Sequence, residues 1–285
     1  MALRSKDKFA VFILTHGRPD DVLTVEALRR SGYTGKTYFL IDNEDKKADA
    51  YRARFGDENV IVFDKLAVSK TFDIGDSLPY RKSVVYARNS IFAISKELGL
   101  DYFLQLDDDY TFFAYRWVED NVLLHQRMLG FDKVVDLMLD FLEDTGAYTV
   151  AMSQGGDHMG GVGGPIKMGL KRKAMNSFFC RTDKPFVSLG RLNDDVNTYV
   201  VYGASGGMFW TVLALQLNQT ITQHTPGGMT EYYRESGTYV KSFYTVMMAP
   251  SCVTIKTLGI TDRRFHHSIR WNNAVPKILS PIHKK

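Results

Sequence analysis

Asp101-Tyr102-Phe103-Leu104-Gln105-Leu106-Asp107-Asp108-Asp109 decides how the rest of the chain is read. It has the form of a short apolar strand that ends in three carboxylates, which cannot all enter a core. Side chains alternate along an extended chain, so Asp107 and Asp109 point one way and Asp108 the other. Paired acidic oxygens at a strand end make a hard-ligand site suited to Mg²⁺ or Mn²⁺ and a phosphate-bearing ligand. The plainer alternative is an acidic turn that only caps the strand.

The preceding segment, Pro79 to Gly99, bears on that choice. Val84, Ile91, Phe92 and Leu98 recur at helical spacing, and Gly99 supplies a stop. Arg88 falls on the face that should be buried, with Arg81 two turns before it. A cation on the core side of a helix needs an anionic partner, and the acidic strand end is the nearest in sequence. Helix, Gly99 turn and strand therefore read as one unit that brings Arg88 beside Asp107 to Asp109, either for ligand binding or as a structural Arg–Asp pair.

Working back to the amino terminus, Phe9-Ala10-Val11-Phe12-Ile13-Leu14 is a near-continuous apolar run, typical of a strand covered on both faces. It ends in the polar turn Thr15-His16-Gly17-Arg18-Pro19, which opens a helix through Val22, Val25 and Leu28. A second strand, Lys36 to Ile41, ends in Asp42-Asn43-Glu44-Asp45. A helical segment from Lys47 to Phe55 and a strand Val60 to Phe63 follow. Strand, helix, strand, helix, strand is the signature of a βαβ half-sheet, whose ligands bind at the carboxyl ends of the strands. The first turn offers one glycine and so lacks a dinucleotide fingerprint.

Beyond Asp109, aromatic residues from Tyr110 to Trp117 lead to expected helices around Leu123 to Met128 and Phe131 to Phe141. Tyr148 to Ser153 reads as a strand. Six glycines between Gly155 and Gly164 then imply a tightly folded or mobile loop, followed by the basic cluster Lys167, Lys171, Arg172 and Lys173. This is either a lid that touches phosphates or a solvated hairpin, and it is no Walker loop. Further strands are expected at Asn176 to Cys180, Pro185 to Leu189 and Met208 to Leu217. Between them a helix starts with Asn193 as its cap and Asp194 and Asp195 in its first turn. After a turn at Pro226 to Thr230, a helix carries Tyr239, Phe243, Tyr244 and Met247, and Cys252 to Leu258 is the last expected strand. The tail holds His266-His267 and Arg270-Trp271-Asn272-Asn273.

Composition bounds the rest. With 285 residues, 45% hydrophobic, the chain can form one large mixed domain. No apolar run is long enough for a membrane span and no secretory h-region opens the chain, so a soluble, cytoplasmic protein is expected. Cys180 and Cys252 give neither a disulfide framework nor a metal cluster. A formal charge of +4 is too mildly basic to establish nucleic-acid binding by itself.

These features together resemble a GT-A glycosyltransferase, an α/β fold whose Rossmann-like, mostly parallel sheet binds a nucleotide sugar. Asp107-Asp108-Asp109 matches that family's Asp-x-Asp motif, and Ala87-Arg88-Asn89 matches the helix before it. More narrowly, the Tyr86 to Tyr110 block and the basic tail resemble the phage glycosyltransferases of hydroxymethylated pyrimidines in DNA, related to the TET/JBP-associated group.

The resemblance implies a UDP-sugar donor and Mn²⁺ or Mg²⁺. It puts Thr15, His16, Arg18, Asp42 and Asn43 on the nucleotide, and Arg81, Arg88, Asp107 and Asp108 around the diphosphate. Asp109 and Asp107 would meet the metal, with His266 or His267 completing its shell. Asp195 or Asp194 would be the acceptor-side base, and DNA the acceptor. Residues 1–110 form the donor half and 111–285 the acceptor half of one domain on this reading. A glycan, lipid or protein acceptor, or a metal-dependent phosphoesterase, are the alternatives.

Overall fold

The computed structural model describes residues 7–164, 166, 171–220, 239–259 and 264–277. A nine-stranded sheet dominates, ordered β3-β2-β1-β4-β8-β7-β9-β5-β6. Its amino-terminal part is β1 (Phe9–Leu14), β2 (Lys36–Asp42), β3 (Val60–Phe63) and β4 (Tyr102–Asp107), all mutually parallel. The helices α1 (Leu23–Arg30), α2 (Ala48–Phe55), α3 (Lys65–Ser69) and α4 (Val85–Glu97) supply the connections. The expected α/β fold and its three opening strands are thus found.

Both faces of β1 are buried, as its uninterrupted apolar run requires. Phe9, Val11 and Ile13 enter one core with Leu28 of α1; Ala10, Phe12 and Leu14 enter the other with Ile91 of α4. At roughly 25 cal/mol per Å² of apolar area buried, such a strand is a large contributor to stability.

The second half is mixed in direction. It comprises β5 (Tyr110–Glu119), β6 (Val122–Arg127), α5 (Phe131–Thr145), β7 (Thr149–Gln154), β8 (Phe178–Arg181), α6 (Asp194–Ala204) and β9 (Phe209–Gln219). Then come α7 (Tyr239–Met248), β10 (Val253–Leu258), β11 (Arg264–Ile269) and α8 (Trp271–Ala274). β8 runs antiparallel to both β4 and β7, so β4 and β7 point the same way, and β9 is parallel to β7. The carboxyl ends of β1, β2, β4, β7 and β9 therefore share one edge of the sheet.

Four expectations need correction. Leu123 to Met128 is no helix: Val122 to Arg127 pairs with β5 as a hairpin, because Asp120 and Asn121 both take positive φ and close a tight turn. Pro185 to Leu189 forms no strand, although Phe186 is buried. Cys252 to Leu258 is not the last strand, since His266 and His267 lie on β11, which pairs with β10. Arg81 precedes α4 instead of riding on it. The Pro226 to Thr230 turn lies outside the described residues, as does Lys167. No helix among the described residues is long and apolar enough to cross a membrane.

Candidate active site

Parallel register sets Leu14 of β1 opposite both Leu40 of β2 and Asp107 of β4, so the polar tips of three strands meet. This is where open α/β sheets bind ligands. The three aspartates fan out to different partners. Asp108, 2% exposed, turns back to the β1 tip, where its Oδ2 accepts from Thr15 Oγ1 at 2.6 Å and Arg18 Nε at 2.9 Å. Burial nevertheless raises its pKa. Thr15 Oγ1 also meets the Tyr51 hydroxyl at 2.8 Å. Asp107 faces α4 and accepts from Arg88 Nη2 at 3.3 Å. Asp109 has a single long side-chain contact among the described residues, from Thr220 Oγ1 at 3.3 Å. Burial, then the charges of Asp107 and Asp108, push its pKa up to about 6.

Arg88 is the hub. Helical spacing puts it on the buried face of α4 with Ile91 and Ser95, and it is 4% exposed. Its Nη1 donates to Asp194 Oδ2 at 2.6 Å, while Nη2 reaches Asp107 and, at 3.5 Å, Asn176 Oδ1. Burial works against its charge, but Asp194, Asp107 and Asp195 outweigh burial and hold the guanidinium protonated.

One guanidinium thus answers several carboxylates. Burial raises the pKa of Asp194 to about 7 and that of Asp195 as well. The short Arg88 contact pulls Asp194 the other way. The upward direction prevails because burial is the largest influence and the neighbouring acids add to it.

α6 delivers Asp194 and Asp195 in its first turn, as read from the sequence. Asn193, however, does not cap the helix with its side chain. Its φ of +51° turns the amide away, where it donates to Lys241 O at 2.9 Å and Thr245 Oγ1 at 3.1 Å and lies 3.3 Å from His267 Nδ1. Burial, then the neighbouring His266 and Lys241 charges, press the His267 pKa down to about 4. The ring is therefore neutral at pH 7, the form that ligates metals. His266 Nδ1 lies 2.6 Å from the His267 carbonyl. Among the described residues no three His, Cys, Asp or Glu side chains are grouped to hold an ion, so neither late histidine joins Asp107 and Asp109 in a ready-made ligand set.

A second polar cluster sits at the β2 tip. His16 Nδ1 lies 2.8 Å from Asp42 Oδ2 and 3.7 Å from Asp45 Oδ2, and Lys65 Nζ is 3.1 Å from Asp42. The Asp42 hydrogen bond raises the His16 pKa against burial. Burial alone would raise Asp42, yet His16 and Lys65 together lower it. Asn43 Oδ1 accepts from the Lys65 backbone N–H at 3.1 Å. Arg81 belongs to this cluster and not to the aspartate triplet, for its Nε donates to Glu44 Oε1 at 2.9 Å. The reason is its place in the extended link before α4.

Beyond β7, Asp157 is buried and pairs with Arg172 Nη1 at 3.2 Å and Lys173 Nζ at 3.7 Å. The Lys173 charge is also felt by Asp195. The segment from Arg172 to Asn176 thus spans from Asp157 to Arg88. Sequence reading missed Tyr51, Lys65, Asn176 and Asp157. Asn176 takes a positive φ just before β8, which the sequence does not announce.

The family model of the TET-Associated Glycosyltransferases matches residues 9–228. No curated protein matches the chain. Among solved structures, one of a mycobacterial protein aligns at a TM-score of 0.48 and 11% identity, covering 94% of this chain and 88% of that one. Glucosyl-3-phosphoglycerate synthase from Mycobacterium tuberculosis, in complex with Mn²⁺ and UDP-glucose, aligns at 0.46 and 10%, covering 92% and 86%. A nucleotide-diphospho-sugar transferase from Desulfovibrio desulfuricans G20 aligns at 0.42 and 10%, covering 86% and 97%. With its family match over most of its length, and with the acidic strand tip and its arginine in place, the chain belongs to the TET-associated glycosyltransferase family.

Proposed function

We propose that the chain transfers a sugar from a UDP-sugar to the hydroxyl of a hydroxymethylated pyrimidine, foremost hydroxymethylcytosine, in phage DNA. The observation that carries this reading is the placement of buried Arg88 between Asp107, on the donor side, and Asp194, on the acceptor side. Family membership favours sugar transfer over phosphoester hydrolysis. A family associated with TET-type oxidases of bases supports a hydroxymethylated base over a glycan, lipid or protein as acceptor.

In this reading residues 1–110 hold the donor, with the His16–Asp42–Lys65 cluster, Thr15 and Asn43 at the base and ribose. Arg18 and Arg81 flank them. Asp109 and Asp107 suit a Mn²⁺ or Mg²⁺ ion: their oxygens are hard, and Asp109 carries little else on its carboxylate. Fewer than three grouped protein ligands agree with an ion whose shell is completed by diphosphate and water. When bound, such a cation neutralises the diphosphate leaving group. Asp108 ties the β4 tip to the β1 turn, and Arg88 fixes Asp107 and Asp194 relative to each other.

Residues 111–285 hold the acceptor. If transfer inverts the sugar, a carboxylate must take the proton of the acceptor hydroxyl. Both acids have raised proton affinity, but Asp194 is committed to Arg88 whereas the Asp195 carboxylate accepts from the Val196 backbone N–H, so Asp195 suits this better. A hydroxymethyl group on a stacked base reaches the donor only if the nucleotide leaves the stack.

Incubation with Mn²⁺, a panel of UDP-sugars and either hydroxymethylated or plain DNA, read by mass spectrometry, tests the proposal. A hexose-sized mass gain confined to the hydroxymethylated strand is expected. Modification of a glycan but of no DNA overturns the acceptor, and phosphate release without a sugar donor overturns the reaction.

A further inference from the structure

The parallel pairing of β7 with β9 breaks just where both reach the active edge: Met152 pairs with Val212, but the next residue, Ser153, pairs with Gln216. Residues 213–215 bulge out, and bulges beside active sites re-aim side chains. Ser153 Oγ donates to Leu215 O at 2.8 Å in this bulge and lies 2.8 Å from His158 Nε2. The Oγ proton is thereby used, so His158 Nε2 carries the hydrogen and Nδ1 presents a lone pair. That Nδ1 is buried and has no hydrogen-bond partner among the described residues, in a residue 7% exposed.

Four residues earlier, the Gln154 side chain accepts from the backbone of Asp157 to cap the turn, which leaves its Nε2 as a donor. That atom too is buried without a partner among the described residues. Unmet donors and acceptors in an enclosed place are a standing cost that calls for a ligand or another explanation. At Gly155 the turn packs closely on β9, since a Cβ there would stand 3.1 Å from Asn218 Oδ1. Burial keeps His158 neutral. Asp157, in the same turn, holds Lys173 toward Asp195, so the turn borders the acceptor side of the site.

We propose that the Gln154–His158 turn is the base-reading subsite for the acceptor, with Gln154 Nε2 as donor and His158 Nδ1 as acceptor to the hydrogen-bonding edge of an extruded pyrimidine. A donor and an acceptor offered from one turn are the pair that an amide or amidine edge calls for, and every pyrimidine carries such an edge. The inference rests on the DNA-base acceptor proposed above and assigns the residues that recognise it.

The test compares wild type, Gln154→Glu and His158→Gln on duplexes that carry hydroxymethylcytosine or hydroxymethyluracil, with UDP binding by calorimetry as a check on folding. Gln154→Glu retains an oxygen for the turn but replaces the donor by an acceptor. Each change should raise the acceptor KM about tenfold or more and shift the ratio of cytosine to uracil transfer about fivefold, the scale of one base-edge hydrogen-bond pair. Unchanged KM and ratio in variants that bind UDP, with wild type active on hydroxymethylated duplexes, overturn the subsite alone. A wild type that modifies no hydroxymethylated duplex overturns the acceptor reading, and the subsite with it. If Gln154→Glu loses UDP binding through misfolding, His158→Gln decides.

Discussion

Asp108 and Asp109 are neighbours of one chemical type in opposite circumstances, and substitution should separate them. Asp108 is satisfied by Thr15 and Arg18, whereas Asp109 holds one long contact and a proton affinity raised by burial. Asp109→Ala should lower kcat/KM for transfer by about 10³-fold or more while leaving the urea midpoint unchanged or slightly higher, since an uncompensated acid is removed. Asp108→Ala should instead cost about 2–4 kcal/mol of stability, because Thr15 and Arg18 lose a buried acceptor. Normal turnover by Asp109→Ala would sink the metal assignment. His16 offers a second test at this scale. Its pKa is raised by Asp42, so the stability it contributes is complete below its unfolded value of about 6.5 and fades as pH rises through the higher folded value. Titration of the His16 ring signals by NMR should give a midpoint above 6.5 that falls in Asp42→Asn.

Among the elements, α6 carries both acids proposed for the acceptor side and is held from behind by α8. A Cβ at Gly203 of α6 would collide with the carbonyl of Ala274, so the two helices approach as closely as they do only because this residue is glycine. Gly203→Ala should therefore destabilise the protein by about 1–3 kcal/mol, although alanine is the better helix former; a urea midpoint equal to wild type would show that the contact yields freely. The close approach could not be read from the sequence, because it depends on a partner 71 positions away. Local pattern was enough for β1 and β3, whose apolar runs are self-contained, and for the unit that sets Arg88 beside Asp107. It failed at Val122 to Arg127, where apolar residues suggested a helix and the Asp120-Asn121 turn was the decisive signal. It failed again at Asn193, where composition promised a cap and the positive φ redirected the side chain. Lys65 and Asp157 escaped notice for the same reason, since each acquires meaning only from residues that the fold brings from other segments.

At the scale of the molecule, the donor and acceptor halves proposed for residues 1–110 and 111–285 share one sheet instead of abutting. β8 of the second half inserts beside β4 of the first, and β5, which directly follows Asp109, crosses to the far side to pair with β9. Arg88 adds a buried ionic link between the two, and Arg191, 1% exposed, adds another by pairing with Asp76 at 2.9 Å and so pinning the link before α4 to the start of α6. The two largest cores each draw residues from both halves. Unfolding in urea should therefore be a single transition. The chain tests this with its own probes, because Trp117, Trp210 and Trp271 all lie in the second half while backbone circular dichroism reports on both. The two signals should share one midpoint. Arg88→Met, which leaves Asp107 and Asp194 without their countercharge, should shift both midpoints together by the equivalent of about 3–5 kcal/mol. A tryptophan transition that moves alone, or that precedes the loss of circular dichroism, would mean that the acceptor half unfolds by itself and that Arg88 does not couple it to the donor site.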